Sequence, residues 1–152
     1  MRPLLEYNTF IWSPSDVGCI RKLESVQRRF TKRIYSMSDM SYEDRLTALG
    51  LETLEYRRLK FDLVMIFKIV HNLVDLDRDS LITVTSTTTR NSFLKIFKPR
   101  CESSLRMKFL CVRCVNVWNS LSESTKASSS IVAFKNNLNK NNLIQFLNVF
   151  KF

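Results

Sequence analysis

The chain has 152 residues, enough for one domain with a buried core. Twenty-four lysines and arginines against fourteen acidic residues give a formal net charge of +10, which favours a polyanionic partner such as nucleic acid or an anionic membrane surface. Two glycines and three prolines argue against phosphate loops and β-sandwiches, and no apolar run approaches the roughly 18 residues that cross a bilayer. We predict a mainly α fold, a small helical bundle with at most a short β-hairpin or strand near 81–98.

The first predicted helix begins near Ser15, with Asp16 at the positive end of the helix dipole. At 100° per residue its apolar residues gather on one side, which we expect to face the core, and its basic residues gather on the other. The apolar set is Cys19, Ile20, Leu23, Val26, Phe30 and Ile34. The basic set is Arg21, Lys22, Arg28, Arg29, Lys32 and Arg33. The basic face is either a phosphate-binding surface or a solvated face that keeps the protein soluble.

Two further helices follow with clear boundaries. Ser41 is a predicted N-cap with Asp44 three residues later, and Gly50 is a predicted left-handed stop. Thr53 caps a helix over 54–73 whose apolar residues surround the whole wheel, which predicts a position in the centre of the core. His71, the only histidine, lies at its end and is predicted to cap or pack rather than to catalyse.

Serine, threonine and scattered charge predict a loop near 75–92, with a short strand over Leu81–Thr85. The segment "SFLKIFKPR" alternates as a second strand would, with basic residues at its end. A helix is predicted over "SLRMKFLCVRCVNVWNSL", and a last capped helix over "SSSIVAFKNNLNKNNL". The first has Leu105, Phe109, Val112, Val115 and Trp118 within reach of one face, and the second carries Ile131, Phe134 and Leu138.

The residues themselves indicate no enzyme. The sequence has no glycine-rich phosphate loop, no spacing that suggests a Ser, His and Asp set, and no carboxylate pair placed to hold two Mg²⁺ ions. Cys111 and Cys114 have the spacing of half a zinc site, but Cys19, Cys101 and His71 do not supply the other half. We therefore predict no catalytic residue and no metal site, and interpret Cys111 and Cys114 as small buried hydrophobes.

Five blocks in order resemble the region after the polymerase core of non-LTR (LINE-type) retrotransposon reverse transcriptases, of the jockey-like and chicken-repeat-like groups. The blocks are "RPLLEYNTFIWSP", "KLESVQRRFTKRI", "SYEDRLTALGLETLEYRRLKFDL", "FKPR" and "VWNSL", from Arg2 to about Leu138. The resemblance implies that residues 1–14 are a remnant of a thumb-like segment and that 15–140 form the helical C-terminal domain of the polymerase. Residues 141–152 are then an apolar tail.

The resemblance also implies what this chain does not carry. The family's catalytic aspartates lie in a Tyr-Ala-Asp-Asp motif of an upstream palm domain, and no such tetrapeptide occurs here. The expectation is an N-terminally truncated fragment of an RNA-directed DNA polymerase without its own polymerase or endonuclease site. No cofactor is expected in this chain, since Mg²⁺ would belong to the palm domain. The expected location is intracellular, in the nucleus or in a cytoplasmic ribonucleoprotein.

The resemblance favours the nucleic-acid interpretation of the basic helix face. The expected partners are RNA, DNA or both, through the phosphate backbone, together with the upstream polymerase domains and without a membrane. Besides the six basic residues of the first helix, the predicted binding residues are Arg57, Arg58, Lys98 and Arg100. Tyr35 and Tyr56 are candidates for base stacking, whereas Phe30 is predicted in the core. The alternatives are an all-helical protein-interaction domain, whose charge only solubilises it, and a non-functional relic.

Overall fold

The computed structural model describes residues 2–85 and 94–148, with only the backbone described for Arg2 and Pro3. The chain is mainly helical, which confirms the predicted fold class. The helices are α1 (Arg2–Glu6), α2 (Thr9–Trp12), α3 (Val17–Lys32), α4 (Tyr42–Ala48), α5 (Leu54–Val70), α6 (Arg78–Leu81), α7 (Ser104–Lys108), α8 (Leu110–Arg113), α9 (Val115–Ser120), α10 (Glu123–Lys126) and α11 (Ile131–Lys140). A single 3₁₀ turn covers Ile144–Phe146 among these residues.

Two short strands form an antiparallel pair inside the predicted region. Strand β1 (Val84–Thr85) lies against β2 (Lys95–Ile96), with Val84 opposite Ile96 and Thr85 opposite Lys95. Part of the predicted loop near 75–92 is helical, since α6 lies there, and residues 86–92 are outside the described residues. Phe93 of the predicted second strand is outside them as well, as are residues 149–152 of the predicted tail.

The chain divides into two compact units, with the boundary inside α5. The first comprises the residues up to Arg58 together with Leu147 and Asn148, and the second runs from Leu59 to Phe146. The divisions that the sequence predicts near residues 14 and 140 stay predictions.

Helix ends in the first unit lie at or next to the predicted positions: the predicted start near Ser15 is one residue before the observed N-cap, Asp16. The Asp16 carboxylate accepts the Cys19 N–H at 2.9 Å, so α3 begins one residue after the aspartate. The Ser41 hydroxyl accepts the Asp44 N–H at 3.1 Å and donates to its carboxylate at 2.6 Å. Gly50 has a φ of 58°, the left-handed conformation that a glycine adopts without strain. The predicted cap at Ser41 and the predicted stop at Gly50 are confirmed.

The second unit has an aromatic core around the C-terminal part of α5. Phe67 stacks on Phe134 of α11 at 4.4 Å between ring centroids, and Trp118 of α9 lies 6.0 Å from Phe134. His71 lies against Phe67 and its Nε2 forms a hydrogen bond with the Lys126 carbonyl at 2.8 Å. His71 is therefore a packing residue, as predicted.

The helix predicted from Ser104 to Leu121 is interrupted. Phe109 has a ψ of 140°, which ends α7, and α8 and α9 follow as separate short helices. The Arg113 guanidinium donates to the Lys108 carbonyl at 2.7 Å and so satisfies a carbonyl at the end of α7. The shared face predicted for a single helix is therefore wrong: Leu105 and Phe109 are exposed, while Val112, Val115 and Trp118 are buried.

A side-chain amide holds β2 against α9. Asn119 accepts the Ile96 N–H at 3.0 Å and donates to the Ile96 carbonyl at 2.9 Å, so it forms the two hydrogen bonds that a neighbouring strand would form. The Trp118 indole donates to the Leu94 carbonyl at 2.7 Å. These hydrogen bonds satisfy backbone N–H and C=O groups at the outer edge of a very short sheet.

Candidate nucleic-acid interface

Three of the four buried residues of α3 are polar. Ile20, Glu24, Gln27 and Thr31 are buried, at the positions i, i+4, i+7 and i+11 of one helix face. Of the residues predicted to face the core, Leu23, Val26 and Ile34 are half-buried, while Cys19 and Phe30 are exposed. The predicted core face is therefore wrong for Cys19 and Phe30, because the helix is rotated toward its polar residues.

Glu24 is the centre of this buried face. Its carboxylate accepts the Leu54 N–H at 3.0 and 3.2 Å and also accepts the Tyr42 hydroxyl. Leu54 is the first residue of α5, where backbone N–H groups have no partner in the helix and where the helix dipole favours a negative charge. Glu24 of α3 thus accepts a hydrogen bond from the backbone at the start of α5. Thr53 accepts another there, since its hydroxyl accepts the Tyr56 N–H at 3.2 Å.

Gln27 and Arg45 extend the contact along α3. Gln27 donates to the Tyr42 hydroxyl at 3.2 Å and to the Glu52 carbonyl at 2.9 Å. Arg45 of α4 is buried, and it donates to the Thr31 hydroxyl at 3.2 Å and to the Met40 carbonyl. Hydrogen bonds are directional, so this network fixes the rotation of α3 about its own axis.

Burial raises the pKa of Glu24 above its usual value of 4.5, while the hydrogen bonds from Tyr42 and Leu54 and the charge of Arg58 oppose that rise. Burial and the neighbouring Glu24 raise the pKa of the Tyr42 hydroxyl. Both groups therefore favour their protonated forms more in the folded chain than in water.

We expect the buried Glu24 to make stability depend on pH. Because its folded pKa is raised, the pH-dependent part of its contribution is fully present below about pH 4.5 and is lost as the pH rises through the folded pKa, while the contribution of its hydrogen bonds to Leu54 and Tyr42 remains. The free energy of unfolding of the wild type minus that of Glu24→Gln should therefore fall as the pH is raised from 4.5. Urea unfolding at several pH values measures this difference. A difference that rises with pH over that range would contradict the expected sign, and Glu43→Gln, at an exposed position of α4, is the control.

The rotation of α3 leaves its basic residues in solvent. Arg21, Arg28 and Lys32 form one row at i, i+7 and i+11, and Lys22, Arg29 and Arg33 form a second row with the same spacing. All six are exposed. From Arg21 to Arg33 the helix rises about 18 Å, the length of about five phosphates along one duplex strand.

No exposed acidic residue of α3 offsets the positive charge of these six residues. Glu24 is the only acidic residue in Val17–Lys32, and it is buried. The Arg28 guanidinium lies 4.8 Å from the centroid of the Tyr42 ring, a cation–π contact that stabilises one of the cations. Tyr42 is the same residue whose hydroxyl donates to Glu24. We call the six exposed cations of α3 the basic face.

The other predicted binding residues have different environments. Arg58 is 1% exposed, so its predicted contact with phosphate is wrong in this conformation. It lies four residues after the buried Leu54 on the same face of α5, which directs it inward. Arg57 is half-buried and pairs with Glu6, with 2.9 Å between Nη2 and Oε2. Lys98 and Arg100 are exposed in the second unit.

The aromatic candidates also separate by exposure. Tyr35, just after α3, is 94% exposed, whereas Tyr56 is half-buried and burial raises its pKa. Phe30 is 58% exposed on α3. Sequence analysis missed Phe30 as a surface aromatic, and it missed Glu24, Gln27 and Tyr42 as the residues that orient the helix.

Within residues 2–85 and 94–148, no group of three or more His, Cys, Asp or Glu side chains could hold a metal ion. Cys111 and Cys114 are buried, and burial raises the pKa of both thiols. Among the same residues no helix is long and apolar enough to cross a membrane. Comparisons with protein-family models, curated proteins and solved structures give no match.

Proposed function

We propose that the protein binds RNA and DNA through the phosphate backbone, without sequence preference, by the basic face of α3. We further propose that it is the C-terminal part of an RNA-directed DNA polymerase of a non-LTR retrotransposon, with no polymerase site of its own. The observation that supports binding is the set of six exposed cations on a helix whose rotation is fixed by Glu24, Gln27 and Thr31. The polymerase origin depends on the five sequence blocks.

Arginine predominates on the basic face, and this suits phosphate. Four of the six cations are arginines, whose guanidinium groups form two parallel hydrogen bonds to phosphate oxygens. The phosphate backbone is the same for every base, so such contacts position a strand without specifying its sequence. A chain of this charge is expected to bind duplex and single strands in low salt and to lose affinity as counterions compete.

The test is fluorescence-anisotropy binding to a labelled duplex DNA and a labelled single-stranded RNA, over a salt series from about 50 to 200 mM. In Arg28→Gln/Arg29→Gln/Lys32→Gln/Arg33→Gln, the slope of log affinity against log salt on duplex DNA should shrink by about 2 to 4, since each phosphate contact contributes about 0.9.

The matched control removes four positive charges elsewhere: Arg106→Gln/Lys108→Gln/Lys135→Gln/Lys140→Gln, all at exposed positions. Its slope should stay close to that of the wild type. Equal reductions in both variants would mean that net charge alone drives binding. Absence of binding by the wild type at the lowest salt would refute the proposed function and favour a protein-interaction domain or a relic.

A further inference from the structure

The C-terminal end of α3 combines exposed aromatic rings with cations. Phe30 is 58% exposed and Tyr35 is 94% exposed, within six consecutive residues that also contain the exposed Lys32 and Arg33. Ser36 follows with a φ of 65°, which turns the chain directly after Tyr35. Exposed aromatic rings beside arginine and lysine are the combination with which proteins hold unpaired bases.

From these observations we infer that Phe30 and Tyr35 stack on bases, so that the preferred ligand of the basic face is single-stranded nucleic acid; this inference rests on the proposed function. Arg33 lies three residues after Phe30, and residues with this spacing are neighbours on one helix face, about 5 to 6 Å apart at Cβ. A phosphate bound by Arg33 would therefore place its own base within reach of the Phe30 ring.

The environment of Phe30 on α3 is consistent with an aromatic ring that is held in solvent for stacking. Val26 and Leu23, four and seven residues earlier on the same face, are half-buried. Phe30 is the one large apolar side chain of α3 that is more than half exposed. The exposed rings of Phe30 and Tyr35 are a small surface to insert into a membrane, whereas each ring is sufficient for stacking on one base.

Duplex and single strands differ in what they offer to these rings. In a duplex both faces of each internal base are covered by its neighbours, so the rings have no free base to contact. In a single strand the bases can leave the stack and lie on an aromatic side chain. The cations should then contribute to both ligands and the two aromatic residues to single strands alone.

The experiment compares Phe30→Ala, Tyr35→Ala and the double variant on a labelled oligouridine and on a labelled duplex of equal length. Each alanine should weaken single-strand binding by roughly 5- to 100-fold and leave duplex affinity and both salt slopes unchanged. Phe30→Trp should retain single-strand affinity, and Phe30→Leu should lose it, because leucine is apolar but has no aromatic face.

Two controls make the result specific. Phe97 is 55% exposed in the second unit, so Phe97→Ala removes a comparable exposed ring and should leave binding unchanged. Circular dichroism should show the helical content of each variant unchanged, because Phe30 and Tyr35 are largely in solvent. A 2-aminopurine base in the oligonucleotide should lose fluorescence on binding to the wild type and not to Phe30→Ala/Tyr35→Ala.

The outcomes separate this inference from the proposed function. If Phe30→Ala/Tyr35→Ala binds both ligands with wild-type affinity while the Gln variant of the basic face binds clearly more weakly, the stacking inference is overturned and the proposed function stays in place. Equal losses on duplex and single strand would assign the rings a structural role. Absence of binding to either ligand would overturn both proposals, and Phe30-dependent binding to phosphatidylserine vesicles would then identify a membrane surface as the ligand.

Discussion

Glu24→Ala is expected to lower the free energy of unfolding by about 3 kcal/mol, since it leaves one buried and one half-buried donor without their acceptor, at about 1 to 3 kcal/mol for each buried group. Those donors are the Leu54 N–H and the Tyr42 hydroxyl, and the variant also removes the carboxylate with which the charge of Arg58 interacts. The effect should be large because all three partners are buried or half-buried, where water replaces a lost acceptor poorly.

Urea unfolding at neutral pH, followed by circular dichroism, measures this loss. Glu24→Gln should cost less, because its amide oxygen still accepts the Leu54 N–H. Glu43→Ala, at an exposed position of α4, should change stability by less than about 0.5 kcal/mol. A Glu24→Ala loss as small as that of Glu43→Ala would show that the carboxylate's own desolvation cancels its hydrogen bonds.

The basic face depends on the same residue. If Glu24 fixes the rotation of α3, then its loss should weaken nucleic-acid binding as well as stability, even though Glu24 itself is buried and the six cations are exposed. This links the buried polar network to the surface: the network selects which residues of α3 reach solvent, and the selected set includes all six cations.

Signals that act within a few residues could be predicted from the sequence. The caps at Ser41 and Thr53, and the glycine at 50, depend on neighbours close in the chain, and the structure places each of them at a helix end. The start of α3 was predictable to within one residue, since its N-cap is Asp16 rather than Ser15. The six cations of α3 were predictable for the same reason, because a helix of known register places them on one side.

The rotation of α3 could not be predicted from its own composition. Hydrophobic periodicity favours the side with Phe30, but the partners of Glu24, Gln27 and Thr31 come from residues 42–54, more than ten positions away. A buried polar group is stable only where such partners exist, and one helix alone does not reveal them. Arg58 was misplaced for the same reason, since its burial depends on the packing of α5 rather than on its charge.

The pair of Asp62 and Arg113 gives the other large expected effect. Asp62 is 2% exposed on α5, and its carboxylate accepts from Arg113 Nη2 at 2.9 Å to both oxygens and from Nε at 3.1 Å. Arg113→Ala would leave this carboxylate buried without its countercharge, so the free energy of unfolding should fall by about 3 to 5 kcal/mol. Arg100→Ala, at an exposed position of the second unit, should cost less than about 0.5 kcal/mol.

Trp118 lies in the same unit as Asp62 and Arg113. When Trp12, the other tryptophan of the chain, is replaced by phenylalanine, the remaining tryptophan fluorescence reports on the unfolding of that unit. Denaturant unfolding of Arg113→Ala in that background, followed by tryptophan emission, measures the loss. The double replacement Asp62→Leu/Arg113→Met should recover most of it, because a buried ion pair exchanged for apolar side chains of similar size often costs little. If the double variant is as unstable as Arg113→Ala, then the hydrogen bonds of the ion pair itself stabilise the fold, and the loss in Arg113→Ala does not come from burying an isolated Asp62 charge. An Arg113→Ala loss no greater than that of Arg100→Ala would instead mean that water reaches Asp62 and solvates it.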